Sequence, residues 1–305
     1  MRAMKIVVGV MADDRGDDAL AFAEVLARSA HAELLLAHIH PPAWRAYNQG
    51  KVDAEWAAFL TQQARDAVDR AASLFPAGLA GVEGTIHTHA SSGRGLAEVA
   101  EHAGASLILI GSSPGGVVGA IRGGSTADQL LHGSPVPVAI APEGYRTRAP
   151  DHLGRITIAY RKDHQTALAM AGAYGLARRC GVEVRLLTLI ERPSRLFPGA
   201  ARSLDAMRLD AKLWLDEARA AAPEDVVVTV EITEGDSMVE AIGATRFADD
   251  DLIVVGSSSK GAVRRVFLGD TAHRIVRHSP APVMVVPHDV SVDLDSTQSI
   301  PKITG

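Results

Sequence analysis

Leu107-Ile-Leu-Ile-Gly-Ser-Ser113 is an unbroken apolar run that ends in a glycine and two serines. Such a run, bounded by a turn signal, fits a strand buried on both faces of a helix-covered parallel sheet. A glycine-rich loop follows, then Gly124-Ser125, a short helix pattern and Ser134-Pro-Val-Pro-Val138. The pattern returns about 145 residues later: Leu252-Ile-Val-Val-Gly-Ser-Ser258, a loop of equal length, Gly269-Asp270, the helix pattern and Ser279-Pro-Ala-Pro-Val283. A repeat of that length is a duplicated domain, not a solenoid unit.

Working outward, Lys5 to Val10, Glu33 to Ile39, Val82 to His89 and Val136 to Ala141 complete the strands of the first copy. Ala19, Phe22, Ala23 and Leu26 fall at helical spacing, and Val52 to Leu74, Leu96 to His102 and Ser125 to Leu131 read as further helices. In the second copy the strands are Arg155 to Tyr160, Val182 to Ile190, Val226 to Ile232, Leu252 to Val255 and Val283 to Val286. Its first helix carries Ala167, Met170, Ala171 and Tyr174. Strands alternating with helices predict an α/β fold: two doubly wound, five-stranded, parallel-sheet domains of Rossmann-like type in tandem. Pro142 to Gly154 is rich in Pro, Gly and charge. The domains are placed at residues 1–144 and 155–288, with a linker at 145–154 and a loose polar tail at 289–305.

The composition agrees. The chain has 305 residues, enough for two domains, and it is 47% hydrophobic and 22% charged, which is globular. A formal charge of -5 gives no general attraction to nucleic acid or to an anionic membrane. No apolar run reaches the roughly 20 residues of a membrane span, and no secretion signal precedes Asp13-Asp14. These features predict a cytoplasmic protein. The single cysteine, Cys180, excludes an internal disulfide and reads as inert packing on a helix.

The loop after each fourth strand carries the chemistry. Ligands of an open parallel sheet sit beyond the C-terminal strand ends. A helix N-terminus there offers unpaired N–H groups and partial positive charge to a phosphate. In the first copy Gly111, Gly115, Gly116, Gly119, Gly123 and Gly124 let the backbone approach, and Ser125 stands where it would cap the helix or touch phosphate. The bland reading is an ordinary turn with Ser125 as a cap. The repeat at fixed length, after a buried strand and before a helix, favours the phosphate loop. In the second copy Asp270 takes the place of Ser125. A carboxylate there suits an N-cap and repels phosphate by roughly 1–4 kcal/mol at about 4 Å.

Both copies resemble universal stress protein domains, over nearly all of Lys5 to Ala141 and Arg155 to Pro287. Nucleotide-binding members share Gly, two residues, Gly, nine residues, then Gly followed by Ser or Thr, with a Pro-x-Pro-Val strand beyond. Gly111, Gly124 and Ser125 match it; Pro114 stands at the second glycine, with Gly115 and Gly116 next. Gly256 and Gly269 match in the second copy, while Ser259 and Asp270 depart from it. The resemblance implies an ATP or other adenine-nucleotide site in the first domain, built from Val10, Met11, His38, Ile39, Gly111, Ser112, Pro114, Gly115, Gly116, Gly124, Ser125 and Thr126. Gly256, Ser259, Gly269, Asp270 and Thr271 are the weaker counterparts. The family's acidic residue at the end of strand one is Met11 here and Arg161 in the second copy, and neither supplies a carboxylate. Asp13, Asp14 and Asp163 read as helix-start acids. In the family, domains pair through their fifth strands. A tandem chain can make that pair internally with pseudo-two-fold symmetry, and association of two chains stays open.

Other sites carry less. His38-x-His40 and His87-x-His89 would bind metal only with a third converging ligand, and read as capping or solvent-facing groups, so no metal is assigned. The segment from Pro41 to Arg45, with Trp44, is a candidate lid. No catalytic triad, paired-carboxylate motif or Walker loop is present, so no catalytic residue is assigned. Three functions compete: a nucleotide-binding module of the stress response, a structural or interaction protein without nucleotide, and a slow ATP-hydrolysing enzyme.

Overall fold

A computed structural model of the protein describes residues 3–42, 51–79, 81–113, 115, 118–194, 199–257 and 269–287. The first copy runs β1 (Lys5–Gly9), a 3-10 turn (Asp14–Gly16), α1 (Asp17–Ala30), β2 (Glu33–His40), α2 (Lys51–Ser73), β3 (Val82–Thr88), α3 (Ser92–Ala103), β4 (Leu107–Gly111), α4 (Ser125–Gly133) and β5 (Val138–Ala141). A second 3-10 turn (Tyr145–Thr147) lies between the copies. The second copy runs β6 (Arg155–Ala159), α5 (His164–Cys180), β7 (Glu183–Glu191), α6 (Ala200–Ala220), β8 (Val228–Gly235), α7 (Met238–Ala244), β9 (Asp251–Gly256), α8 (Asp270–His278) and β10 (Val283–Val286).

The strands form one ten-stranded sheet in the order β3-β2-β1-β4-β5-β10-β9-β6-β7-β8. Every neighbouring pair is parallel except β5 and β10, which meet antiparallel, with Ile140 opposite Val283 and Val138 opposite Val285. The expected tandem of doubly wound domains is present, and the fifth strands are its seam. Strand alternation sends Ile6, Val8, Leu107, Leu109, Ile156 and Val254 to one face, under α1, α2, α5 and α6. Val7, Ile108, Ile110, Ile253, Val255 and Val283 pack on the other, under α3, α4, α7 and α8. Both hydrophobic layers continue across the seam.

Local sequence explains the helix ends. Asp163 caps α5 by accepting from the Thr166 N–H (2.8 Å), and Ser91 and Ser237 cap α3 and α7 in the same way. Asp13 accepts from the Arg15 N–H at the first 3-10 turn, and Asp17 and Asp18 enter the first turn of α1. Gly181 closes α5 in the left-handed region; His31 does so for α1 at φ 48°, the one non-glycine residue with positive φ among the described residues.

The segment between the copies is a packed element. Tyr145 is fully buried. The Asp18 carboxylate accepts from the N–H groups of Gly144 and Arg146, both at 2.8 Å. The Leu153 N–H donates to Ser29 Oγ (2.8 Å), while Arg148 donates to Asp249 and to the Pro280 carbonyl. One stretch of backbone thus clasps α1 on one side and the second domain on the other.

At the N-terminal strand ends of the second copy, buried Asp251 accepts from Arg155 at 2.6 and 2.7 Å and from Arg185 at 3.4 Å. Arg185 also donates to Glu231 (2.7 Å) and Thr157 (3.0 Å), and its guanidinium lies 5.3 Å from the Phe247 ring centre. Asp251 and Arg185 are 0% and 5% exposed, so this network is structural.

Candidate functional site

The strand order reverses at β1 and β4, where a doubly wound sheet opens its crevice. In β1 and β4, Val8 pairs with Leu109, so Val10 and Gly111 end their strands side by side. The Val10 N–H donates to the Ala37 carbonyl (2.9 Å), which brings His38 to the same rim. The structure sets Val10, His38, Gly111 and Ser112 at adjoining strand ends, with Met11 next after Val10 and Ile39 the next residue along β2, and starts α4 with Ser125 and Thr126 directly after Gly124, which lies against Ser113. Pro114 and Gly116 lie outside the described residues, as do Trp44, Ser259 and residues 289–305.

The loop between β4 and α4 is closed by a residue that sequence reasoning passed over. The Arg122 N–H donates to the buried Ser112 Oγ (2.8 Å), and its carbonyl accepts from the Ser113 N–H (2.9 Å). Its guanidinium donates to the Gly115 carbonyl (3.3 Å), which sets a cation on the loop. A basic residue directly before Gly123-Gly124 was the available signal. Gly115 and Gly119 sit at φ 81° and 79°, the left-handed region that favours glycine. Gly124 is extended, and a Cβ there would press on the Ser113 side chain, whose hydroxyl would have to rotate away.

The helix starts correct one expectation. Gly124 and Gly269 are the caps of α4 and α8, and neither makes a side-chain capping bond. Ser125 and Asp270 are the first helical residues, one place too late to cap. Asp270 therefore acts through the helix dipole and its charge alone. The first turn of α4 also carries an acid, Asp128, one turn further in.

Met11 is exposed, with its backbone and Cβ beside Gly16. Asp13 is bound to Arg15 (2.6 Å), which holds its carboxyl below the usual range; it does not stand in for the missing acid. In the second copy Arg161 pairs with Asp163. The His38 ring is turned onto the Val10 carbonyl (Nδ1 to O, 3.0 Å), and burial lowers its pKa below 6.5. A neutral ring that donates from Nδ1 keeps Nε2 as an acceptor at the mouth.

The two crevices differ at glycines that read alike in sequence. A Cβ built on Gly111 would meet nothing closer than 3.8 Å, with Ala19 and the Arg15 carbonyl as its nearest neighbours. A Cβ on Gly256 would meet the Gln165 carbonyl oxygen at 2.9 Å. The first glycine is in ordinary contact with α1, and the second is packed more tightly against α5.

The comparisons match this architecture. The profile of the universal stress protein family matches residues 3–142 and again 153–287. The chain belongs to the universal stress protein family. A universal stress protein of Mycobacterium tuberculosis is 35% identical over 294 residues, covering 93% of this chain and all of that protein. One from Mycolicibacterium smegmatis is 24% identical, covering 92% and 96%. Among solved structures, a universal stress protein from Archaeoglobus fulgidus aligns with TM-score 0.62 at 17% identity, covering 94% of this chain and all of that one. One from Pseudomonas aeruginosa described as putative aligns with TM-score 0.57, covering 93% of each. These likenesses show the tandem fold. No helix among the described residues of this universal stress protein is long and apolar enough to cross a membrane.

Proposed function

We propose that this tandem universal stress protein is a binding module of the stress response that holds an adenine nucleotide in its first domain, and that its second crevice is structural. The observation that carries this is the pair of glycines: a Cβ at Gly111 would make ordinary van der Waals contact with Ala19 and the Arg15 carbonyl, whereas one at Gly256 would press on the Gln165 carbonyl. The N-cap of α4, Gly124, makes no side-chain capping bond, so the N–H groups of the helix start face a phosphate without a competing side chain from the cap. With Met11 in place of an acid, ribose is held differently, and the Nε2 acceptor of His38 is the group we assign to the nucleoside. The proposal is retention of nucleotide, not turnover.

Calorimetric and thermal titration with ATP and ADP tests this. Saturation at 100 times the dissociation constant adds about 2.7 kcal/mol to stability. The expected result is one site per chain, lost on Gly111→Val and kept on Gly256→Ala. Unchanged melting at millimolar nucleotide, or a site that survives Gly111→Val, would overturn it.

A further inference from the structure

His89 follows the last residue of β3, and Ser91, the cap of α3, stands two residues on. The Ser91 N–H donates to His89 Nδ1 (2.8 Å), and the Ser91 carbonyl oxygen lies 2.9 Å from the same nitrogen. One ring nitrogen thus stands between a donor and an acceptor of a single residue. Glu98 of α3 decides which of them it serves. Its carboxylate lies 3.6 Å from His89 Nε2, which favours the proton of the neutral ring there and leaves Nδ1 to accept.

Ser91 also joins α3 to α4. Its hydroxyl donates to Gln129 Oε1 (2.7 Å), and the same oxygen accepts from the Gly93 N–H (3.0 Å). The start of α3 is pressed onto the first turns of α4: a Cβ on Gly93 would meet Gln129 Cβ at 2.6 Å and the Thr126 carbonyl oxygen at 2.8 Å. Thr126 is the second residue of α4. A continuous chain of contacts therefore runs from the His89 ring to the helix start assigned to phosphate.

We propose that His89 is a proton-sensitive positioning residue for the start of α4. The neutral ring holds the Ser91 N–H. A ring protonated on Nδ1 cannot accept, so that bond is lost and the new N–H turns to the Ser91 carbonyl. That carbonyl already accepts from the Gly95 N–H (2.9 Å) at the first turn of α3. Ser91 shifts to make room, and Gln129 and Thr126 shift with it. Nucleotide affinity then falls as the ring becomes charged.

The charged and titratable groups around the ring come from four elements. On α3, Glu98 draws a charged ring towards itself; the His87 hydrogen bond (2.8 Å) holds its carboxyl below the usual range, so it stays ionised while imidazoles titrate. His87 on β3 and His102 on α3 act on the same carboxylate. Arg94 enters the first turn of α3, where its N–H meets Ser91 Oγ (3.4 Å). From β2 comes His40, whose carbonyl accepts from the His89 N–H (3.0 Å) and whose ring is bonded to Thr88 (2.8 Å), with His38 two residues before it. On α4, Asp128 precedes Gln129. Of these groups, His89 alone has its titrating nitrogen on the backbone of the α3 cap.

The effect on nucleotide rests on the first-domain site proposed above, whereas the proton switch does not, and two measurements on the full chain separate them. Without nucleotide, nitrogen-15 NMR between pH 7.5 and 5.5 should show the Ser91 and Thr126 amide signals following the titration of the His89 ring. In His89→Asn the Thr126 signal should stay fixed, because the Asn carbonyl stands where Nδ1 does and accepts the Ser91 N–H at either pH. With ADP, calorimetry should show wild-type affinity falling about fivefold or more beyond that of His89→Asn over the same interval. The comparison cancels protonation of the nucleotide and of His38. His89→Ala, which has no acceptor, should bind more weakly than His89→Asn at pH 7.5, with melting curves to establish that both are folded. A Thr126 amide that ignores the His89 titration, or the same pH profile in wild type and His89→Asn, would overturn the proposal. A wild-type chain that binds no ADP at either pH overturns the nucleotide reading instead, and the Thr126 signal then decides the switch by itself.

Discussion

The ring of Tyr145, in the segment that joins the domains, meets Phe22 of α1 edge-on, with centroids 5.5 Å apart and planes 82° apart. Arg148 lies over the other side, 5.7 Å from the ring centre. The Tyr145 hydroxyl is buried without a hydrogen-bond partner, and burial raises its pKa. The ring, not the hydroxyl, is therefore the stabilising part. Tyr145→Phe should leave stability unchanged or raise it, while Tyr145→Ala should cost about 3–5 kcal/mol in urea unfolding.

Asp251 compensates two buried or half-buried guanidinium groups. Asp251→Ala would strip Arg155 of its bidentate partner and remove one carboxylate from beside buried Arg185, at a cost of about 3–5 kcal/mol. The same denaturation measurement checks it, and a loss under 1 kcal/mol would refute the network's role.

Gly111→Ala and Gly256→Ala should separate binding from folding. The first adds a methyl at ordinary contact distance from Ala19 and the Arg15 carbonyl, so its melting temperature should stay near wild type while nucleotide affinity falls. The second pushes on the Gln165 backbone and should cost about 1–3 kcal/mol with no effect on nucleotide. Calorimetry and melting curves on the two proteins decide it.

His38 predicts an acid-sensitive term. Its folded-state pKa lies below 6.5, because burial disfavours the charged ring. On acidification the unfolded chain takes up this proton first, so stability present above pH 6.5 is lost as pH falls from there towards the folded value. His38→Gln should lose less melting temperature than wild type between pH 7.5 and 5.5.

Burial pushes the Cys180 thiol up to about 12. At pH 8 the native protein should react with a disulfide reagent about a thousandfold more slowly than a free thiol of pKa about 8.5. Unfolding should restore the rate. Fast labelling of the native chain would contradict the packed position.

The strands could be read because a buried parallel strand leaves an unmistakable apolar run, as at Leu107 to Ile110 and Leu252 to Val255. The seam was legible for a related reason: β5 and β10 are too apolar to be left as edges. What lay hidden depends on residues far apart in the chain. Tyr145 looks like linker until Phe22 covers it, and Asp18 looks like an ordinary helix-start acid until it accepts two N–H groups from residues 144 and 146. Gly111 and Gly256 occupy the same motif position, and only the approach of α5 tells them apart. That Ser125 and Asp270 stand one place past the cap is not legible, because a cap and a first helical residue differ by one position, finer than residue type resolves.

The antiparallel meeting of β5 and β10 has a consequence for how the protein behaves in a cell. Two separate chains joined along such a seam would part on dilution, so their paired state would track expression level. Here both halves are on one chain, and the pairing has no dependence on concentration. The reversal of strand direction also points the two crevices towards opposite ends of the sheet. An occupant of the first could influence the second through the shared strands, the hydrophobic layers that cross the seam and the Tyr145 clasp.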